Sequence, residues 1–81
     1  MQFHEDKLKQ VLADVLSTDS KSVDDNTSPD TVPNWDSLRH MQLVLALEAE
    51  FDVTFTEQES VEILSYPLIK EVLKEHGITL I

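Results

Sequence analysis

The residues in this chain best placed to do chemistry are one serine, three histidines and a run of oxygen-bearing side chains. In "PNWDSLRHM", residues 33–41, Ser37 stands between Asp36 and Leu38, where a loop gives way to an apolar helix. Asp36 is a good N-cap, so Ser37 becomes the first helical residue and its hydroxyl need not cap anything. That hydroxyl would lie beside unpaired backbone N–H groups at the positive end of the helix dipole, where a phosphate ester is favoured. Local physics leaves two readings open: an ordinary first-turn serine, or an attachment point for a group the chain lacks. Ser37 and His40 could meet on one helix face. However, no G-x-S-x-G elbow surrounds the serine, and a backbone with a single glycine offers no obvious oxyanion nest. A self-sufficient hydrolase is not expected.

Metal chemistry fails on spacing. "DDNTSPDTVPNWD" is rich in oxygen ligands, but an EF-hand loop needs glycine at position 6 and glutamate at position 12. Counted from Asp24 those positions are Pro29 and Trp35, and counted from Asp25 position 5 is Pro29. Only weak, non-specific divalent binding by the clustered acids stays open. His4, His40 and His76 are scattered, and there is no cysteine to complete a zinc site or form a disulfide.

The elements that must position Ser37 follow from periodicity. From Phe3 to about Leu16, apolar residues at 8, 11, 12, 15 and 16 mark one face of a first helix. Residues 17–35 are rich in Ser, Thr, Asp, Asn and Pro and predict a long loop, anchored on the core by Val23, Val32 and Trp35. A second helix runs from Asp36 or Ser37 to about Phe51. Its apolar face of Leu38, Met41, Val44, Leu45, Leu47 and Phe51 is widened by Leu43 and Ala46. That width exceeds one core stripe, so part of the face is expected to be exposed and used. Thr56 and Glu59 form a capping box before a short third helix, with Val61, Ile63 and Leu64 inward. Ser65 caps a fourth helix, with Pro67 in its first turn and Ile69, Val72 and Leu73 inward. Gly77 is the expected left-handed stop, and the tail "ITLI" packs back on the bundle. The predicted fold is all-α: a four-helix bundle, three longer helices plus one short, with a long loop between helices one and two. One domain over residues 1–81 is expected, with a small core.

Sixteen acids face six bases, a net charge of −10 on 81 residues. Such a surface repels phosphate backbones and anionic lipid, so nucleic acid and membranes are poor partners and basic protein patches good ones. The start is acidic and helical rather than a signal peptide. The longest apolar run, "LVLAL", is far short of the roughly 20 residues of a membrane span. A cytoplasmic monomer is expected, without membrane insertion.

The segment "DSLRHMQLVLALEAEFDVTFTEQE", residues 36–59, resembles the core of acyl carrier proteins, the phosphopantetheine-binding four-helix family. The resemblance is carried by Asp36-Ser37-Leu38, by L-x-L-x-x-E-x-x-F ending at Phe51, and by the acidic start of the third helix. Length, charge and layout agree over nearly the whole chain. The resemblance implies that Ser37 receives a 4′-phosphopantetheine arm from a separate phosphopantetheinyl transferase, and that Asp36 helps the transferase engage. The arm's thiol would hold acyl or aminoacyl groups as thioesters, delivered to loading and transferring enzymes with basic docking patches. Leu38, Met41 and Leu45 match the strip that meets partners, while Glu48, Glu57 and Glu59 match the acidic recognition surface, with Arg39 beside them. The space between helices two and three would shelter an attached chain. Trp35 stands where the family often has glycine, and Arg39, His40 and Gln42 follow the leucine, which leans towards a specialised stand-alone carrier. The reading from another class is an acidic helical adaptor without a prosthetic group.

Between His40 and Ile69 there are six acids and no lysine or arginine. Their repulsion predicts that helices two and three are sensitive to ionic strength and divalent ions. The melting temperature should rise from low to moderate salt; a flat profile would show the acids too dispersed to matter.

Overall fold

The computed structural model describes residues 2–81. Its elements are β1 (Gln2–Phe3), α1 (Glu5–Leu16), a 3₁₀ turn (Ser20–Ser22), α2 (Ser37–Phe51), α3 (Glu57–Glu62), α4 (Tyr66–Glu75) and β2 (Thr79–Leu80). The four-helix expectation holds, with helices of 12, 15, 6 and 10 residues in chain order. Among the described residues no helix is long and apolar enough to cross a membrane.

Phe3 does not begin α1. It pairs in a short parallel ladder, Gln2 opposite Thr79 and Phe3 opposite Leu80. Bonds from Ile81 N–H to the Phe3 carbonyl (2.9 Å) and from Glu5 N–H to the Ile81 carbonyl (2.8 Å) extend it. Two residues are too few to show strand alternation, which is why the sequence reads as wholly helical. The apolar tail does return to the bundle, with Ile78 buried.

The helices start and stop by local chemistry. His4 caps α1, and the acids Glu5 and Asp6 in its first turn suit the positive end of the dipole. The helix stops where Ser17 turns left-handed at φ 54°. Thr56 and Glu59 make the expected reciprocal capping box on α3, and the Ser65 hydroxyl accepts from Leu68 N–H at the start of α4. After α4, Gly77 adopts φ +84°, and its N–H reaches the Lys74 carbonyl while that of Ile78 reaches Leu73. This is a Schellman stop, at a backbone conformation a side chain would strain.

The core centres on Leu8, Leu12, Leu16, Leu43, Leu47, Phe51, Ile63, Tyr66, Ile69 and Leu73, all essentially inaccessible to water. Two sequence expectations shift here. Leu43 is the centre of the buried stripe of α2, with Leu47 and Phe51 at i+4 and i+8, and not its fringe. Val61 and Leu64 are exposed, because α3 completes fewer than two turns and only Ile63, just past its end, reaches the core. In the loop, Val23 and Trp35 are buried as expected, whereas Val32 is only half-buried. Its polar residues close local turns on themselves. Buried Thr27 accepts from Asp24 N–H at its hydroxyl and from Tyr66 N–H at its carbonyl, fixing the loop to α4.

Tyr66 is the largest fully buried side chain, and sequence reading did not single it out. Its hydroxyl donates to Glu5 Oε2 at 2.7 Å, and Lys70 Nζ lies 4.8 Å above its ring. Burial, then the Glu5 carboxylate that accepts its proton, raises the phenol pKa above its ordinary value. A raised native pKa means this stabilisation is full below about pH 10 and is lost as pH rises further. Tyr66→Phe should therefore lower unfolding free energy by about 1–2 kcal/mol at neutral pH and reduce the alkaline loss. Urea unfolding across pH checks both; an unchanged midpoint would show that water replaces the phenol at Glu5.

Candidate functional site

The approach to Ser37 is fastened to the end of α1. The last carbonyls of a helix have no partners within it. Here the Leu16 carbonyl accepts from Asn34 Nδ2 at 3.0 Å, and the Val15 carbonyl from Arg39 Nη1 at 2.7 Å. The same Arg39 nitrogen reaches Ser17 Oγ at 3.1 Å. These grips bracket Trp35, Asp36 and Ser37, so a loop–helix junction on the surface has a fixed backbone. Asp36 caps α2, its Oδ1 accepting from Arg39 N–H at 2.8 Å. Ser37 is the first residue of α2 and is exposed, and among the described residues nothing hydrogen-bonds its hydroxyl.

Behind the serine, Trp35 turns its indole into the protein. Its Nε1–H donates to His40 Nδ1 at 3.0 Å, and His40 Nε2 lies 2.6 Å from the Ser60 carbonyl. An indole N–H can only donate, so Nδ1 accepts and Nε2 carries the proton that Ser60 receives as a bond. Both imidazole nitrogens are engaged, which leaves neither free to take a proton from Ser37. The Ser37–His40 pair weighed from the sequence is thus not a nucleophile and base. Among the described residues no group of three or more His, Asp or Glu could hold a metal ion.

Beside Ser37 is an apolar groove of about 440 Å³, lined by residues that include Trp35, Asp36, His40, Met41 and Leu64. A second groove of about 260 Å³ continues from His40 and Met41 past Val44 and Leu45 to Ser60 and Val61. Leu38, Met41 and Leu45 fall at i, i+3 and i+7 and are each 65–66% exposed. The excess apolar width of α2 is therefore surface. Glu57 is exposed as well.

Three other expected contact residues are engaged within the chain, Arg39 and Glu48 by bonds that sequence reading did not assign and Glu59 by its expected capping box together with an unassigned contact to His76. Arg39 holds α1, as described. Glu48 Oε2 accepts from Phe55 N–H at 2.8 Å, shaping the turn from α2 to α3. Glu59 accepts from Thr56 N–H at 2.9 Å and lies 3.0 Å from His76 Nε2. Chiefly the Thr56 backbone N–H, then His76, hold the Glu59 carboxyl below its ordinary range, against a smaller opposing effect of burial. The bridging role of Trp35 and His40 was also missed. The available signal was a lone tryptophan expected on the core, since a buried indole N–H needs an acceptor.

No protein-family model matches the chain. It is 30% identical over 71 residues to the acyl carrier protein of Clostridium acetobutylicum, across 88% of this chain and 92% of that one. It is 36% identical over 56 residues to the acyl carrier protein of Chlamydia felis, across 69% of this chain and 72% of that one.

The capping box gives the groove wall formed by α3 a pH dependence of known sign. Because the native Glu59 pKa is lowered, its contribution is present above the ordinary value of 4.5 and is lost as pH falls through the native one. Glu59→Gln, which can keep the box, should flatten the acid limb of the stability–pH curve. Thr56→Ala should cost about 1 kcal/mol at neutral pH. Urea unfolding of both variants from neutral to acid pH is the check; an acid limb unchanged in Glu59→Gln would place the dependence elsewhere.

Proposed function

The chain belongs to the acyl carrier protein family, and on that premise we propose that Ser37 is the attachment point of its 4′-phosphopantetheine arm. The protein is a carrier and not an enzyme. The observation that carries the assignment of Ser37 is an exposed hydroxyl with no hydrogen-bond partner among the described residues, at the first position of a capped helix and beside an apolar groove.

The residues fit the group. First-turn N–H groups and the helix dipole favour the negative phosphodiester. The adjacent Asp36 carboxylate accepts from Arg39 N–H at Oδ1 only, and its Oδ2 makes no bond among the described residues, so it can engage a transferase. The groove walls of Trp35, Met41 and Leu64 suit an aliphatic amide chain. When bound, the arm supplies a thiol that holds an acyl or aminoacyl group as a thioester. In the modification itself Ser37 Oγ forms the new P–O bond to the pantetheine-side phosphorus of coenzyme A. The pyrophosphate P–O bond breaks, adenosine 3′,5′-bisphosphate leaves, and the serine proton passes to the transferase, since His40 is occupied.

Leu38, Met41 and Leu45 form the apolar part of a docking surface, and Glu57 and the neighbouring acids its charged part, for loading and transferring enzymes with basic faces. Arg39, Glu48 and Glu59 serve that surface by holding its shape. Trp35 in place of glycine, and the Arg39-His40 pair after the leucine, favour a specialised stand-alone carrier working in the cytoplasm.

Intact mass before and after incubation with coenzyme A and a broad-specificity phosphopantetheinyl transferase tests the assignment. The parent should gain one phosphopantetheine and Ser37→Ala none. Gain in both, or in neither with both folded, would overturn it.

A further inference from the structure

The stop at the end of α1 leaves carbonyls for outside donors. The N–H of left-handed Ser17 turns back to the Ala13 carbonyl, and the Thr18 N–H goes to the same oxygen at 3.0 Å. The Val15 and Leu16 carbonyls, nearer the end, take theirs from Arg39 and Asn34. Those two donors stand on either side of Ser37, one in the loop before it and one in the first turn of α2.

That first turn has little packing to hold it. Helix ends fray. Ser37 and Leu38 are exposed, and the first buried residue of α2 is Leu43, more than a turn further on. The Asp36 cap is internal to the junction, since it accepts from the backbone N–H of Arg39. It shapes the turn without fixing where the turn sits on the bundle. His40 ties the next position to Trp35 and Ser60, and the Arg39 guanidinium ties the turn to α1. Of these two anchors α1 is the firm one: Leu8, Leu12 and Leu16 are fully buried, whereas no residue of α3 is buried. The sequence places Arg39 among the partner contacts. Its side chain instead reaches across 24 positions to Val15, with its charge at the negative end of the α1 dipole.

We propose that Asn34 and Arg39 are positioning residues for attachment of the arm: by tying the junction to the end of α1 on both sides of Ser37, they hold its hydroxyl in place for the transferase. The inference rests on Ser37 bearing the arm and adds the residues that ready it. As Ser37 Oγ bonds the pantetheine-side phosphorus, adenosine 3′,5′-bisphosphate leaves and the serine proton passes to the transferase. The attacking and leaving oxygens of such a displacement lie roughly in line, and a misplacement of about 1 Å can cost about 10²-fold in rate. Neither residue touches the reacting atoms. Both act through the backbone between them.

Single-turnover transfer to the full chain, with transferase in excess and coenzyme A saturating, tests this. It separates the plateau rate from the transferase concentration that gives half of it. Asn34→Ala and Arg39→Met each remove one grip and leave the Asp36 cap in place. In each, the plateau rate should fall about tenfold while half-saturation stays within about twofold of the parent. Arg39→Lys, which keeps the charge and a donor, should fall between Arg39→Met and the parent. Asn34→Ala, at an exposed position, decides the matter if Arg39→Met does not fold. Weaker half-saturation at an unchanged plateau would make these residues docking contacts. A lowered melting temperature with both constants unchanged would make them merely structural. Either result overturns the proposal. Hydrogen exchange of the Arg39 and His40 amides in the unmodified proteins judges the grips separately: it should quicken about tenfold in Asn34→Ala and Arg39→Met, and unchanged exchange also overturns the proposal. If the parent takes up no arm, the reading of Ser37 falls, while amide exchange still decides whether α1 holds the junction.

Discussion

The unpaired carbonyls at the end of α1 are the constraint from which the rest of the site follows. A helix of 12 residues must leave its last C=O groups to outside partners. Asn34 and Arg39 supply two of them, and those two residues enclose the start of α2. The carbonyls gain their donors and the start of α2 its fixed place from one set of bonds. Trp35, caught between the grips, is pressed into the core. Its indole then needs an acceptor and finds His40, which carries the connection on to α3. Rigidity at an exposed hydroxyl comes from hydrogen bonds to a neighbouring helix end, in a protein whose core alone is small.

Features whose chemistry is complete within a few residues could be read from the chain itself. The Asp36 cap, the Thr56–Glu59 box, the Ser65 cap and the Gly77 stop each involve partners no more than five positions apart. What escaped was non-local. Arg39 meets Val15 across 24 positions, His40 meets Ser60 across 20, and Tyr66 meets Glu5 across 61, and no periodicity announces such pairs. The face of α2 was misjudged for another reason. Every position from 43 to 47 is apolar, so the helical period has no contrast there to show which stripe is buried. From the residues alone Ser37 had two readings, and only the family resemblance favoured one of them; the groove beside it was not legible at all, since Leu64 and Trp35 approach from other elements.

The acids divide into two populations. Glu5 and Glu48 accept hydrogen bonds from the buried residues Tyr66 and Phe55 and Glu59 from its own capping box, and pairs such as Lys7 with Glu50 (3.4 Å) are half-exposed and contribute little to stability. The bases are also unevenly placed. Lys7, Lys9, Lys70 and Lys74 lie on α1 and α4 and Lys21 in the 3₁₀ turn, while the one base on α2 or α3, Arg39, is bound to α1. The molecule therefore presents an electrically lopsided surface, with the α2–α3 side predominantly negative. Such a field turns an approaching basic protein towards Ser37 before contact, an effect on encounter rate and orientation more than on final affinity.

The single tryptophan of the chain sits two residues from Ser37, its ring stacked against His40 with centroids 6.2 Å apart and planes 20° apart. An indole emits according to the polarity and contacts of its surroundings, and here those surroundings are the groove wall. The protein thus carries its own fluorophore at the point where a cargo group would come and go. Its intrinsic emission makes occupancy of the groove an optical quantity, readable in stopped flow on unlabelled material and undiluted by any second tryptophan elsewhere in the fold.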